Sequence, residues 1–248
     1  MNPITIVLAA LLPSAVLVYH FYKQDKRKPE PVEKVIKLFL LGMLLVVVVI
    51  IPERLLMIFF NIVGISGIHE AFLSAFVVAG LCEELGKMLL VRTYIYNNHY
   101  FDEISDGILY TIVASLGFAC AENILYIYGF GIEVMPIRAL FAVPLHASAS
   151  GIMGYYIGKA KFAESKTEEN NYFIKGLCFG IAIHGLYNFM FFVAGPVAYL
   201  INALVLFYAF RFLYKKINAA LIEDEIIENL NMESSQTIDS DTDSDIPE

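Results

Sequence analysis

The chain has 248 residues, of which 58% are hydrophobic, and its mean hydropathy of +0.65 is far above that of soluble proteins. Its net charge of −8 belongs to the C-terminus, because residues 223–248 carry ten acidic and no basic side chains, whereas the rest carries 17 basic and 15 acidic ones. The absence of a basic face excludes a nucleic-acid partner, and three cysteines, all in apolar stretches, argue against a disulfide framework. The composition predicts an all-α, polytopic integral membrane protein in contact with the lipid bilayer.

Seven apolar stretches are long enough to cross a bilayer as helices. They are residues 4–22, 35–51, 72–96, 107–128, 136–158, 174–193 and 197–214. Residues 55–63 are apolar but too short to cross, and with Pro52 ending the second span they are predicted to form a short interfacial helix. The acidic composition of residues 223–248 is typical of disorder. We therefore expect a transmembrane domain over residues 1–222 and a disordered tail over residues 223–248.

Basic residues fall almost entirely on one side of the predicted membrane. If the N-terminus lies outside the cell, 14 Lys and Arg residues lie on the inner side and two, Arg54 and Arg138, on the outer side. Because loops rich in Lys and Arg stay in the cytoplasm, this distribution predicts a multi-pass protein of the cell membrane. Its N-terminus is expected to be extracytoplasmic and its acidic tail cytoplasmic.

The third span carries three ionisable side chains near its centre, Glu83, Glu84 and Lys87. Such groups are costly in hydrocarbon, so they usually face a bundle interior or a water-filled cavity and mark a function. On a helix either glutamate can pair with Lys87, and the two glutamates point about 100° apart, so they need not share one role. The alternative is a buried ion pair that only fixes helix packing.

Polar residues also interrupt the later spans: Glu122 and Asn123 in the fourth, His146 in the fifth, and His184 and Asn188 in the sixth. At about 1.5 Å per residue, these positions and that of Glu83 lie about 8–16 Å from the outer helix ends. Four helices thus place polar groups at similar depths, which predicts a single polar site that opens outward. The alternatives are that Glu122 and Asn123 only bridge helices by hydrogen bonds and that the histidines are satisfied buried residues.

These residue types suit hydrolysis by an activated water. A carboxylate beside a buried cation and one or two histidines can take a proton from water, and His184 with Asn188, one turn apart, can donate hydrogen bonds to a developing oxyanion. The sequence contains no His-Glu-x-x-His zinc motif, no Gly-x-Ser-Gly motif and no pair of intramembrane aspartates. Ser148 and Ser150, beside His146, keep a serine nucleophile as an alternative.

No cofactor is expected. Zn²⁺ is the alternative, with Glu122, His146 and His184 as its ligands, since three protein ligands and a water make a catalytic zinc site. Lys87 argues against an ion, because it lies one turn from Glu83 and would repel a divalent cation. The candidate ligands also stand on different helices, and the sequence identifies no outer-shell partners for them.

Five short motifs occur in order between residues 72 and 193. They are EELGK at 83–87, DGILY at 106–110, GFACAENILY at 117–126, His146 followed by GY at 154–155, and HGLYN at 184–188. With these motifs the chain resembles the PrsW family of intramembrane proteases, which is related to the type II CAAX prenyl proteases and bacteriocin-processing membrane proteins. Two positions depart from the wider CAAX-protease pattern: Lys87 replaces an arginine one residue later, and Phe118-x-x-x-Glu122 replaces Phe-x-x-x-His.

The resemblance implies a glutamate-dependent endopeptidase of the bacterial cell membrane, with Glu83 as the general base. It further implies that the partner is a single-pass membrane protein, an anti-sigma factor, which is cut first on its extracytoplasmic side to start an envelope stress response. Two other classes remain as alternatives. A proton- or metal-ion-coupled transporter also needs intramembrane carboxylates and histidines, and a non-catalytic scaffold or immunity protein would keep such residues for folding.

Overall fold

The computed structural model describes residues 2–24 and 28–242, with side chains up to Leu230 and at Met232. All regular structure in these residues is helical, as the composition predicts. The α-helices are α1 Pro3–Tyr22, α2 Val32–Ile62, α3 Gly67–Leu73, α4 Cys82–Tyr94, α5 Ile104–Phe130, α6 Met135–Leu140, α7 Ala142–Lys161, α8 Lys166–Val193 and α9 Ala198–Thr242. A π-helical segment, Ser74–Leu81, joins α3 to α4, and 3₁₀ turns at Ile132–Val134 and Gly195–Val197 precede α6 and α9.

Six helical stretches of the described chain are long and apolar enough to cross a membrane. They correspond to six of the seven predicted spans, and the prediction of an all-α multi-pass membrane protein is confirmed. The remaining predicted span, residues 72–96, is built differently: α3, the π-helical segment and α4 follow one another from Gly67 to Tyr94. Helix α4 alone has 13 residues and carries four charged side chains, so it is too short and too polar to count as a membrane span by itself.

The second span is longer than predicted, because α2 continues through Pro52 to Ile62. Residues 55–62 therefore belong to α2, and the predicted interfacial helix over residues 55–63 is wrong. A proline is tolerated inside a membrane helix when neighbouring groups satisfy the carbonyl that it leaves without a donor. After α2 the chain turns at Gly64 and Gly67, whose φ angles of +72° and +63° favour glycine.

The last helix also differs from the predicted start of a disordered tail at residue 223. α9 runs to Thr242, and its first two acidic residues bind the bundle. Asp224 accepts hydrogen bonds from the backbone N–H groups of Ile104 (2.6 Å) and Ser105 (3.1 Å). Glu223 accepts from the Tyr155 hydroxyl (2.7 Å) and pairs with Lys159. Residues 243–248 of the predicted tail lie outside the described part of the chain.

Helix α5 is the centre of the bundle, and nearly all of its first 17 residues are buried. It packs against α2 on one side and α7 on the other at backbone distance. A Cβ atom on Gly117 of α5 would collide with the carbonyl of Phe39 in α2, and one on Gly158 of α7 would collide with the carbonyl of Ile104 in α5. Such close approach is typical of small residues in membrane helices, and it brings the polar residues of α5 and α7 together.

Candidate active site

A cavity of about 980 Å³ opens between α2, α5, α7, α8 and the segment from α3 to α4. It lies at the end of the bundle where α2, α5 and α8 finish and α7 begins. Its lining is largely apolar, with ionisable side chains concentrated on one part of the wall. These include four predicted site residues from four helices, Glu83, Glu122, His146 and His184. The convergence that was expected from depth alone is therefore present in the structure.

Glu83 and Glu84 have different surroundings. Glu83 lines the cavity, and its Oε2 accepts a hydrogen bond from Lys87 Nζ at 3.2 Å. Glu84 is fully buried, and its Oε1 binds Lys87 Nζ at 2.7 Å and His184 Nδ1 at 2.8 Å. Its Oε2 accepts from the Ser150 hydroxyl at 2.7 Å. Glu83 can meet a substrate, whereas Glu84 is committed to holding its neighbours.

The local helix geometry explains this separation. Successive residues of an α-helix point about 100° apart, so the two adjacent glutamates face different directions, and only Glu83 lines the cavity. The π-helical segment directly before α4 changes the phase at which the helix enters the site, and π-helical turns often occur at functional sites. Lys87 lies on the side between the two glutamates, with its Nζ 4.7 Å from the centre of the Phe118 ring.

The hydrogen bonds of the two histidines assign their neutral tautomers. Lys87 can only donate, so His146 Nδ1, at 3.1 Å from Lys87 Nζ, must accept, and His146 Nε2–H then donates to Glu122 Oε2 at 3.1 Å. Glu84 can only accept when ionised, so His184 Nδ1–H donates to it. His184 Nε2 consequently presents its lone pair toward Glu83 Oε1, 3.8 Å away. That gap between two acceptors suits a water that donates to both.

Glu122 and Asn123 share a partner that the sequence reasoning did not identify. Arg138, on the short helix α6, donates from Nη2 to Glu122 Oε2 (2.8 Å) and from Nε to Asn123 Oδ1 (2.6 Å). Asn123 is fully buried and does not line the cavity. The sequence identifies Arg138 only as one of two basic residues on the outer side, and no spacing connects it with Glu122.

Asn188 lies on the cavity wall one turn beyond His184. It has no hydrogen bond to another residue of the described chain, so its amide is available to a ligand in the cavity. Ser150, considered as a nucleophile, instead donates to Glu84 and contacts the hydroxyl of Ser115 at 2.8 Å. Glu53 and Arg54 of α2 also line the cavity. They were missed because the predicted helix stopped at Pro52.

One trio of donor atoms in the described chain is spaced for a metal ion at this site. Side-chain atoms of Glu83, His146 and His184 lie within 4.8 Å of one another, so Glu83 takes the place that the zinc alternative gave to Glu122. Glu84 behind His184 and Glu122 behind His146 are outer-shell partners of the kind that orient metal-binding histidines. An ion on His146 Nδ1 would require Lys87 to release that atom and keep its shorter bond to Glu84. On these terms the residues fit a divalent metal.

Comparison with known proteins gives one consistent result. Residues 30–214 match the family described as PrsW family intramembrane metalloprotease. The chain is 38% identical over 188 residues to the Protease PrsW of Geobacillus kaustophilus (strain HTA426), covering 75% of this chain and 79% of the relative. It is 35% identical over 189 residues to the Protease PrsW of Bacillus subtilis (strain 168), covering 75% and 82%. No solved structure matches.

Proposed function

The chain belongs to the PrsW family of intramembrane proteases, and from this premise we propose that it makes the first cut in a membrane-anchored anti-sigma factor on the extracytoplasmic side of the cell membrane. A peptidase embedded among membrane helices acts on membrane protein substrates. The finer proposal is that the substrate has one span and that its cleavage starts the release of a sigma factor in an envelope stress response. The resemblance described above and the position of the cavity support it.

The orientation belongs to the same proposal. The cavity opens at the end of the bundle that carries Arg54 and Arg138, the two basic residues on the side opposite the other 14. The positive-inside rule supports an extracytoplasmic position for that end, with the N-terminus outside and the C-terminal end of α9 inside. A cysteine introduced at Glu133 in a cysteine-free background should react with an impermeant maleimide added to intact cells, and one at Lys166 should not.

The observation that carries the chemistry is the facing pair of acceptors, Glu83 Oε1 and His184 Nε2, on the cavity wall. A water held between them gives up a proton to Glu83 as its oxygen attacks the scissile carbonyl. Lys87 pairs with Glu83 at 3.2 Å and offsets its charge in a setting where a lone carboxylate would be costly. Glu83 then returns the proton to the amine leaving group, so the atoms and charges of hydrolysis balance.

The oxyanion role predicted for His184 needs a qualification. Its Nδ1–H is committed to Glu84, so the neutral ring has no second N–H to offer. In our proposal Asn188 donates to the oxyanion, and His184 joins it only when the ring is protonated and Glu84 balances its charge. Removal of an oxyanion donor typically lowers the rate about 10²–10³-fold.

If a divalent metal is bound, Glu83, His146 and His184 would hold it, and it would polarise the scissile carbonyl and lower the pKa of bound water. The metal-free mechanism stays a prediction. In both cases Glu84 fixes the tautomer of His184, Glu122 fixes that of His146, and Asn188 faces the substrate.

The test is co-expression with a tagged single-span anti-sigma factor in cells that lack other proteases able to make this first cut. The wild-type chain should release the tagged extracytoplasmic fragment, and Glu83→Gln, inserted at the same level, should release none. Cleavage by a stably expressed Glu83→Gln protein would end the assignment of Glu83. If purified protein in liposomes cleaves no membrane substrate but conducts ions, the transporter alternative is correct.

A further inference from the structure

Arg138 is buried beside the proposed site, and the general mechanism gives it no role. The residue is 9% exposed, and it binds Glu122 and Asn123 through two different nitrogens. Its guanidinium carbon also lies 3.7 Å from the centre of the Tyr126 ring. A buried guanidinium with a carboxylate, an amide and an aromatic face around it is held in one orientation.

The same carboxylate oxygen connects Arg138 to a histidine of the site. Glu122 Oε2 accepts from Arg138 Nη2 at 2.8 Å and from His146 Nε2 at 3.1 Å. The Glu122 side chain is 21% exposed and lines the cavity. Without Arg138 it would be free to turn toward water in the cavity, and His146 would lose its acceptor.

His146 in turn contacts the proposed reaction centre with its other nitrogen. His146 Nδ1 lies 3.1 Å from Lys87 Nζ and 3.9 Å from Glu83 Oε2. The ring can present Nδ1 to that centre only while Nε2–H points at Glu122, because a neutral imidazole has one donor and one acceptor. The contacts thus run from Arg138 on α6 through Glu122 on α5 and His146 on α7 to Lys87 and Glu83 on α4.

We propose that Arg138 is a positioning residue of the protease, which holds Glu122 so that Glu122 fixes the ring orientation and tautomer of His146. The proposal rests on the function stated above and adds a residue to it. Arg138 itself touches neither the water nor the scissile bond. Its two-pronged contact also explains why the short helix α6 lies against α5 and α7 at the mouth of the cavity.

The kinetic test is a double-mutant cycle of Arg138→Gln and Glu122→Gln, measured on the tagged single-span substrate. Each single variant should lower kcat about 10–100-fold, as losses of such supporting contacts do, with KM unchanged. The double variant should be no slower than the slower single variant, because both remove one contact chain. Arg138→Lys, which keeps the charge but lacks the fork, should recover only part of kcat.

A second measurement does not depend on activity. Nuclear magnetic resonance of ¹⁵N-histidine-labelled protein in detergent, assigned with single His→Gln variants, reports which ring nitrogen of His146 carries the proton. The wild type should show the Nε2–H tautomer, and Arg138→Gln should show a mixture. Arg92→Gln is the matched control, since Arg92 also stacks on an aromatic ring, that of Phe173 at 4.6 Å, but lies on α4 away from the cavity, and it should change neither readout.

The outcomes separate the proposal from its premise. If the wild type cleaves nothing, the proposed function fails while the tautomer still decides the role of Arg138. An increase in KM with kcat unchanged would show that Arg138 binds substrate, and additive losses in the double variant would show that it acts independently of Glu122. If Arg138→Gln does not fold, the tautomer in Glu122→Gln and Arg138→Lys decides, and an unchanged His146 in both overturns the proposal.

Discussion

At the scale of single residues, the adjacent Glu83 and Glu84 have different surroundings, because only Glu83 reaches the cavity. The sequence predicts that polar residues of four helices converge at one depth, since depth depends only on counting along helices. It does not predict which atoms meet, because that depends on how each helix is rotated and where its neighbour begins. Arg138 and Ser150 were missed as partners for this reason, and Glu53 because α2 was ended too early.

Because Glu83 and Glu84 have different surroundings, the same substitution should have different effects at the two positions. Glu84→Gln removes the charge that Lys87, His184 and Ser150 surround, and breaking such a buried pair costs about 3–5 kcal/mol. It should therefore lower the thermal unfolding temperature in detergent clearly, whereas Glu83→Gln, on the cavity wall, should abolish cleavage with a smaller effect on unfolding. Equal unfolding temperatures for the two variants would contradict the assignment of separate roles.

Whether the site binds a metal also depends on individual side chains. A metal ion would fit the spacing of Glu83, His146 and His184 and the carboxylates behind the two histidines. The hydrogen bond from Lys87 to His146 Nδ1 supports the metal-free prediction, because it occupies a nitrogen that would bind the ion. Under that prediction, purified active protein contains no stoichiometric metal and keeps its activity after prolonged chelation. Stoichiometric zinc, with activity lost on its removal and restored when it is added back, would establish the metalloprotease mechanism. His184→Gln should then also lower the bound metal.

At the scale of helices, α5 brings the site together through glycine contacts. The sequence shows the small residues of α5 and α7 but not which of them touch, and the π-helical segment before α4 leaves no clear signal in the residue pattern. Pro52 was read as the end of a helix, which is sound for soluble proteins. In a membrane bundle the apolar residues after Pro52 favour continuation of the helix, and the chain turns at Gly64.

The contact of α5 with α7 can be tested by adding one methyl group. Gly158→Ala places a Cβ against the carbonyl of Ile104, and overpacking of this kind costs about 1–3 kcal/mol. Its unfolding temperature should fall, and cleavage should weaken as Glu122 and His146 move apart. Gly129→Ala is the matched control, because nothing lies within 4 Å of its Cβ position; the helix should tolerate or prefer alanine there.

At the scale of the whole molecule, the proposed site and the C-terminal end of α9 lie at opposite ends of the bundle. Composition separates an acidic segment from the apolar body, but it does not show which residues of that segment contact the body. Glu223 and Asp224 bind α7 and the first turn of α5 through hydrogen bonds, and Ile227 still packs against the core. An acceptor at the start of a helix satisfies N–H groups that otherwise have no partner.

Two truncations that differ by two residues test this boundary. A chain that ends at Asp224 keeps both contacts and should cleave substrate nearly as well as the full chain. A chain that ends at Ile222 loses them and should unfold at a lower temperature, since loss of a helix cap costs about 0.5–2 kcal/mol. Equal stability of the two chains would show that the pair is dispensable, and a large loss of cleavage on ending at Asp224 would give the later residues a role in catalysis.

The buried lysine also has a consequence for how the protein is made. When residues 67–94 leave the ribosome, Lys87 has only the glutamates of its own helix as partners, because His146 follows 59 residues later. Glu84 also lacks its partner His184, which follows 100 residues later. A lysine at the centre of an isolated helix costs about 2.5–3.5 kcal/mol to insert. We therefore expect this segment to insert stably only after α7 and α8 have been synthesised. The residues proposed for catalysis would then also complete the insertion of the segment. A nascent chain stopped before α8 should leave the segment open to added protease, and a fully protected segment would contradict this order.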